Sequence, residues 1–167
     1  MLGVVKAVRD ETDLPLFAKL SPELGDVVEI AGDVLRAGAD GLSLINTIKG
    51  MAVDIERRKS RLANITGGLS GPAIKPIALR YVYEVKKEYG APVIASGGIM
   101  NVQDVLEFLI VGADLVAIGT ANFIHPGATM TILEDLIQWC KKNNIQNMNE
   151  IRGSFNQKGK AAISGKL

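Results

Sequence analysis

The chain has 167 residues, 47% hydrophobic and 22% charged, an ordinary soluble globular composition with enough apolar material for one core. Nineteen basic residues stand against eighteen acidic ones, a net charge of +1, and no basic stripe stands out, so nucleic-acid binding has no electrostatic support. Apolar runs are strand-sized, short of the roughly 18 residues needed to cross a bilayer, and Met1-Leu2-Gly3 enters a helix-like pattern without signal-peptide design. A single cysteine, Cys140, excludes an internal disulfide, and a single histidine, His125, argues against a zinc site. The expectation is a cytoplasmic α/β protein without a metal.

In chain order, Val4, Val5 and Val8 suggest the end of a helix whose own strand is missing. Leu16 to Leu20, after Pro15, reads as a short buried strand. Val27, Ile30, Ala31, Val34 and Leu35 recur at helical spacing, with Asp26 as N-cap and Gly38 suited to a left-handed stop. Gly41 to Ile45 is the next strand, running into Asn46-Thr47. Residues 48 to 70 then form a long connection carrying the charged run Glu56 to Arg61, most simply a solvated loop and alternatively a partner interface. Pro72 suits a helix's first turn, and Ile74, Ile77, Ala78, Tyr81 and Val85 supply its apolar face. Val93 to Ala95 is the third strand, ending at Ser96-Gly97-Gly98. Asn101 can cap a helix bearing Val102, Val105, Leu106 and Leu109, and Leu115 to Ile118 is the fourth strand. Pro126 opens a last helix with Ile132, Leu133, Leu136, Ile137 and Cys140 on one side; Cys140 and Trp139 read as packing, and His125 as structural.

A repeat supports this parsing: Ala37-Gly38-Ala39-Asp40 recurs as Val111-Gly112-Ala113-Asp114, each between a helix and a strand. Alternating strands and helices imply a parallel sheet with right-handed crossovers, either a barrel or an open doubly wound sheet. No G-x-G-x-x-G follows the first strand, which weighs against a dinucleotide fold. A complete (β/α)8 barrel needs about 250 residues, so four strands amount to about half of one. Such a half leaves two sheet edges and an apolar interior open, so it needs the missing half, a second copy of itself or a large rearrangement.

Functional residues of (β/α)8 enzymes gather at strand C-termini. Gly97, Gly98, Gly119 and Thr120, following successive strands, suit a phosphate cradle of backbone N–H groups; their alternative role is turn glycines and a capping threonine. Lys19 lies within an apolar strand, so it either points outward or neutralises an anionic ligand. Asn46 and Thr47 can hydrogen-bond the edge of a planar imide, or serve as a turn or helix cap.

Several of these segments, in order, resemble dihydroorotate dehydrogenases. They are Ala18-Lys19-Leu20-Ser21-Pro22, Gly38-Ala39-Asp40-Gly41-Leu42, Ile45-Asn46-Thr47, the run from Ala63 through Gly67-Gly68-Leu69-Ser70-Gly71-Pro72 to Pro76, Ser96-Gly97-Gly98-Ile99, and Val116-Ala117-Ile118-Gly119-Thr120-Ala121-Asn122. The likeness covers about residues 3 to 152, the Gly67-to-Pro76 stretch is specific to the family, and the details look closest to the NAD-linked subclass. The resemblance implies the C-terminal half, about four β/α units, of an FMN-binding (β/α)8 barrel over residues 1–152. It implies Lys19 beside the flavin, where a positive charge favours the reduced, anionic ring. Ile45 would pack on the flavin, and Gly71 would allow close passage of the chain. Gly97, Gly98, Gly119 and Thr120 would hold the FMN phosphate, and Asn46 and Thr47 would bind dihydroorotate or orotate.

The family oxidises dihydroorotate to orotate in pyrimidine biosynthesis; in the NAD-linked subclass electrons leave through a partner subunit with FAD and an iron–sulfur cluster. The proton-abstracting cysteine of the family lies on a loop after an earlier strand and has no counterpart here, Cys140 being misplaced for it. No catalytic residue is therefore assigned, and the chain alone is expected to be inactive. A non-catalytic self-associating half-barrel that binds a phosphate ligand is the alternative, and a sugar-phosphate barrel enzyme a third reading. Residues 153–167, rich in Gly, Ser and Lys, read as a flexible tail.

Overall fold

The computed structural model describes residues 2–155. Helix α1 (Leu2–Glu11) leads to β1 (Phe17–Leu20), α2 (Val27–Arg36) and β2 (Gly41–Leu44). An excursion follows, made of β3 (Ile48–Met51), β4 (Val53–Asp54), β5 (Lys59–Ser60) and β6 (Thr66–Leu69). A 3-10 turn, Pro72–Ile74, runs into α3 (Lys75–Tyr89), then β7 (Val93–Ser96), α4 (Val102–Ile110), β8 (Leu115–Ala117), α5 (Thr120–Ile124) and α6 (Ala128–Lys142).

The four main strands form one parallel sheet in the order β1-β2-β7-β8. Strands and helices alternate, as expected from the sequence. Sequential order without a reversal is what a barrel wall shows; a doubly wound sheet reverses at its switch point. The two sheet faces differ sharply. Leu20, Leu42, Leu44, Val93 and Ala95 are fully buried and share a core with Val27, Ala31 and Val34 of α2, Ala78, Val82 and Val85 of α3, and Val105 and Phe108 of α4. Alternate residues point to the opposite face, where Lys19, Leu115 and Ala117 are exposed and Ser43 and Ile94 only half-buried.

The repeated tetrapeptide has one physical job in both copies. Gly38 and Gly112 take φ of 108° and 112°, a conformation costly for side-chain-bearing residues, and turn the chain from helix to strand. The aspartate that follows reaches back to the preceding strand: Leu16 N–H donates to Asp40 Oδ2 at 2.7 Å, and Val93 N–H donates to Asp114 Oδ2 at 2.9 Å. A cation from the neighbouring helix joins each, Arg9 at 3.3 Å and Lys86 at 2.9 Å, and Arg152 adds to Asp114 at 3.2 Å. Burial works against the ionised Asp114, but the Lys86 and Val93 hydrogen bonds and the charges of Lys86 and Arg152 outweigh it and hold its carboxyl below the usual range. A carboxyl lowered on folding stabilises the fold above its unfolded value, and that contribution disappears as pH falls through the folded value. We therefore expect the stability gap between the parent protein and Asp114→Asn, read as urea midpoints, to be open at neutral pH and to close as pH drops below the ordinary aspartate value of 3.8. A gap that stays constant with pH would contradict this.

Several element assignments need correction. The 48–70 connection is not an open loop: β3 pairs with β6 and β4 with β5, both antiparallel. Alternation there is masked by glycine and charge, and Met51, Val53, Ile55 and Ile65 are exposed. The last helix starts at Ala128, after the separate α5, and Gly127 rather than Pro126 precedes it. Ile132 is buried and Leu136 packs on the core, whereas Leu133 and Ile137 are exposed. In α3 the buried stripe is Ala78, Val82 and Val85, with Ile77 exposed; in α1 only Val5 is buried. Cys140 is half-buried, its Sγ 3.7 Å from Met148 Sδ, and Trp139 packs against the core. Asp26 and Asn101 cap their helices as read, the latter in a reciprocal box with Asp104.

Within the 153–167 tail, Gly153 and Phe155 N–H groups donate to Leu109 and Ile110 carbonyls at 2.9 and 3.1 Å. The remainder of that tail lies outside the described residues. No described helix is long and apolar enough to cross a membrane.

Candidate functional site

A cleft of about 230 Å³ opens at the C-terminal ends of the four parallel strands. It is lined by Lys19 from β1, by Ile45, Asn46 and Thr47 after β2, by Gly97 and Gly98 after β7, and by Gly119 and Thr120 after β8. Residues far apart in sequence thus meet in one place because each ends or follows a strand of the same sheet.

Register explains Lys19. Ala18 and Leu20 point into the core, so Lys19 between them faces the open side, level with Ser43 and Ile94. Its outward orientation agrees with one of the two sequence options, and that direction is also the cleft. No carboxylate pairs with it among the described residues. Ile45 is buried at the cleft floor. The Asn46 N–H donates to the Leu20 carbonyl at 2.8 Å, anchoring the β2 end to β1 while the side chain stays exposed. Asn46 and Thr47 cap no helix; they lead into β3. Thr47 packs against Gly68 of β6, where a Cβ would collide with its hydroxyl.

Gly119 and Thr120 open α5 without any side-chain cap, so Thr120 is not a capping threonine. Among the described residues, the N–H groups of Gly97, Gly98, Gly119 and Thr120 take no part in the backbone hydrogen bonds that fix the surrounding turns. Gly98 is buried, and a buried N–H without an acceptor is costly. This set of unspent donors fits a phosphate or a comparable anion. Gly71 stands behind the cradle: it is buried, and a Cβ on Gly98 would lie 2.8 Å from its carbonyl oxygen.

Ser70, Ile74, Ser96, Ile99, Ala117 and Phe123 also line the cleft and were not singled out from sequence. Ser96 and Ala117 were accessible to register reasoning, being paired on the same face as Lys19. Ser70 depended on the unseen β3–β6 ladder. Asn46 and Thr47 also border a second hollow of about 290 Å³ with Ser21, Glu23, Lys49 and the start of β6. There Glu23 Oε1 accepts the Lys49 N–H at 2.6 Å, tying the β1–α2 loop to β3. No group of three or more potential metal-ligating residues occurs among the described residues, and His125 lies exposed at the end of α5, away from the cleft lining.

Fold and site together define an α/β protein with a ligand cleft at the carboxyl ends of parallel strands, glycine-lined on one side and cationic on another. The family model for dihydroorotate dehydrogenase matches residues 2–139, and the chain belongs to that family. It is 50% identical to the catalytic subunit of dihydroorotate dehydrogenase B (NAD(+)) from Desulforamulus reducens over 151 residues, 90% of this chain and 50% of that one. The corresponding subunit from Geotalea daltonii is 51% identical over 152 residues, 91% of this chain and 50% of that one. The chain spans about half the length of the curated relatives it matches.

Proposed function

We propose that this chain forms the FMN-phosphate end and part of the orotate site of a dihydroorotate-oxidising (β/α)8 barrel, working with polypeptide that completes the barrel. The observation that carries this is the convergence of Lys19, Asn46, Thr47 and the two glycine turns on one cleft. FMN, when bound, supplies the hydride acceptor.

The residues of this chain have separate tasks in that reading. Gly97, Gly98, Gly119 and Thr120 hold the phosphate by backbone N–H groups, and Ile45 gives a flat apolar contact. Lys19 places its ammonium where negative charge collects. The Asn46 amide and Thr47 hydroxyl hydrogen-bond the pyrimidine edge and orient the ring. The base that takes the C5 proton is not among the described residues. In the relatives, a name that specifies NAD and a catalytic subunit implies a second subunit that passes electrons on. We infer that an FAD and iron–sulfur partner plays that part here.

The open face of the sheet favours completion by further polypeptide. Phe123, in the cleft lining after β8, is 91% exposed, and Leu115 at the start of β8 is 60% exposed on the open sheet face. A second copy of this chain could cover the same face, and a self-associating phosphate binder is the reading that this observation equally admits.

Orotate separates the proposal from a sugar-phosphate enzyme. We expect orotate to bind the FMN-loaded protein and Asn46→Ala to weaken it by about 1–3 kcal/mol, the cost of an unmet polar contact, in an equilibrium titration. Unchanged orotate affinity in the variant would remove Asn46 from the substrate site.

A further inference from the structure

Asp104 is 6% exposed, a charged side chain deep in the protein for which the site described above has no use. Its Oδ2 accepts the N–H groups of Met100 and Asn101 at 2.8 and 3.2 Å, and its Oδ1 accepts Lys75 Nζ at 2.6 Å. Lys75 also meets Glu107 at 2.8 Å. Capping α4 does not require the lysine. Helix α2, its counterpart in the repeat, is capped by Asp26 alone, through the Val28 and Glu29 N–H groups.

What the lysine adds is a link between two segments that meet at the cleft. Lys75 is the first residue of α3, directly after the turn from Gly71. Met100 and Asn101 end the turn that begins at Gly97. Gly98 lies between them: a Cβ there would stand 2.7 Å from Lys75 Cβ, 2.9 Å from Lys75 N and 2.8 Å from the Gly71 oxygen. The turn is therefore pulled against α3 by Asp104 on one side and stopped by backbone on the other.

We propose that Asp104 and Lys75 are positioning residues for the phosphate cradle: their partly buried ion pair fixes the direction of the Gly97 and Gly98 N–H groups. The pair touches no ligand itself. The Lys75 ammonium is committed to Asp104 and Glu107, and those two hydrogen bonds hold its pKa above the ordinary lysine value. This inference rests on the proposal that the cradle holds the FMN phosphate.

The fold supplies a matched control. Lys86, near the other end of the same helix, makes an equivalent ion pair with Asp114 at 2.9 Å, at the opposite end of the sheet. The measurement is the ratio of FMN to riboflavin affinity of the full chain, from quenching of flavin fluorescence, since the two ligands differ only by the phosphate. The parent should prefer FMN. Asp104→Asn and Lys75→Met should each cut that preference by about tenfold, Lys75→Arg should restore it, and Lys86→Met should lower the melting temperature with the preference intact. Should Asp104→Asn fail to fold, Lys75→Met and its arginine rescue decide. A parent with no preference for FMN would overturn the cradle itself. A parent with the preference, retained in Lys75→Met or lost equally in Lys86→Met, would overturn the positioning role alone.

Discussion

Gly98→Ala should abolish FMN binding while leaving most of the fold in place. Its φ of 75° lies in the region that side-chain-bearing residues avoid, and the added methyl would meet the Gly71 carbonyl and the Lys75 backbone nitrogen below 3 Å. Neither obstacle is the movable end of a side chain, so the turn itself must shift. Backbone strain of this kind costs about 1–3 kcal/mol, and the displaced N–H groups lose the phosphate as well. Gly119→Ala offers the comparison, because a Cβ there meets nothing within 4 Å. It should keep its fold and much of its flavin affinity. Equal behaviour of the two variants in a flavin titration would contradict the geometry of the cradle.

Phe108→Ala should be the most destabilising single change. The ring is fully buried on α4, among the largest side chains in the core, in one cluster with Val82 and Val85 of α3 and Val93 and Ala95 of β7. Phe-to-Ala truncations of this type cost about 3–5 kcal/mol. For a protein of this length that corresponds to a fall of roughly 10 °C in melting temperature. Thermal unfolding followed by circular dichroism checks it, and a fall of less than about 2 °C would mean that the site collapses freely around the lost ring.

The parts of the fold that could be read from the sequence are those governed by local rules. Asp26, Asn101 and the two Gly-Ala-Asp junctions announce helix ends through capping and left-handed turns, and the four parallel strands follow from them. The cleft was legible for a related reason: strand ends are easy to recognise, and parallel strands of one sheet bring their ends together. What stayed hidden depends on pairing at a distance. The β3–β6 ladder contains Gly50, Gly67 and Gly68, which leave too little side-chain alternation to mark a strand. The outer face of α6 carries Leu133 and Ile137 in a perfect apolar stripe, and only the tertiary arrangement shows that they face away from this core. Asp104 carries no signal of its own in the sequence, and its bond to Lys75, 29 residues earlier, has no local signature.

The Gly67-to-Pro76 stretch packs Gly71 and Lys75 behind Gly98 and contributes Ser70 and Ile74 to the cleft lining. Asn46 and Thr47 at the β2 end line the same cleft as the glycine turns, so the orotate and phosphate contacts proposed above share one site. Lys19 is the only lysine or arginine lining that cleft among the described residues.

The central claim is tested most directly by mixing the full chain, together with the N-terminal half-barrel of a relative such as the Desulforamulus reducens subunit, with FMN and passing it over a size-exclusion column while recording flavin absorbance. The account predicts yellow flavin absorbance travelling with the protein, and less of it when riboflavin replaces FMN. Flavin eluting wholly apart from a folded protein would contradict the account.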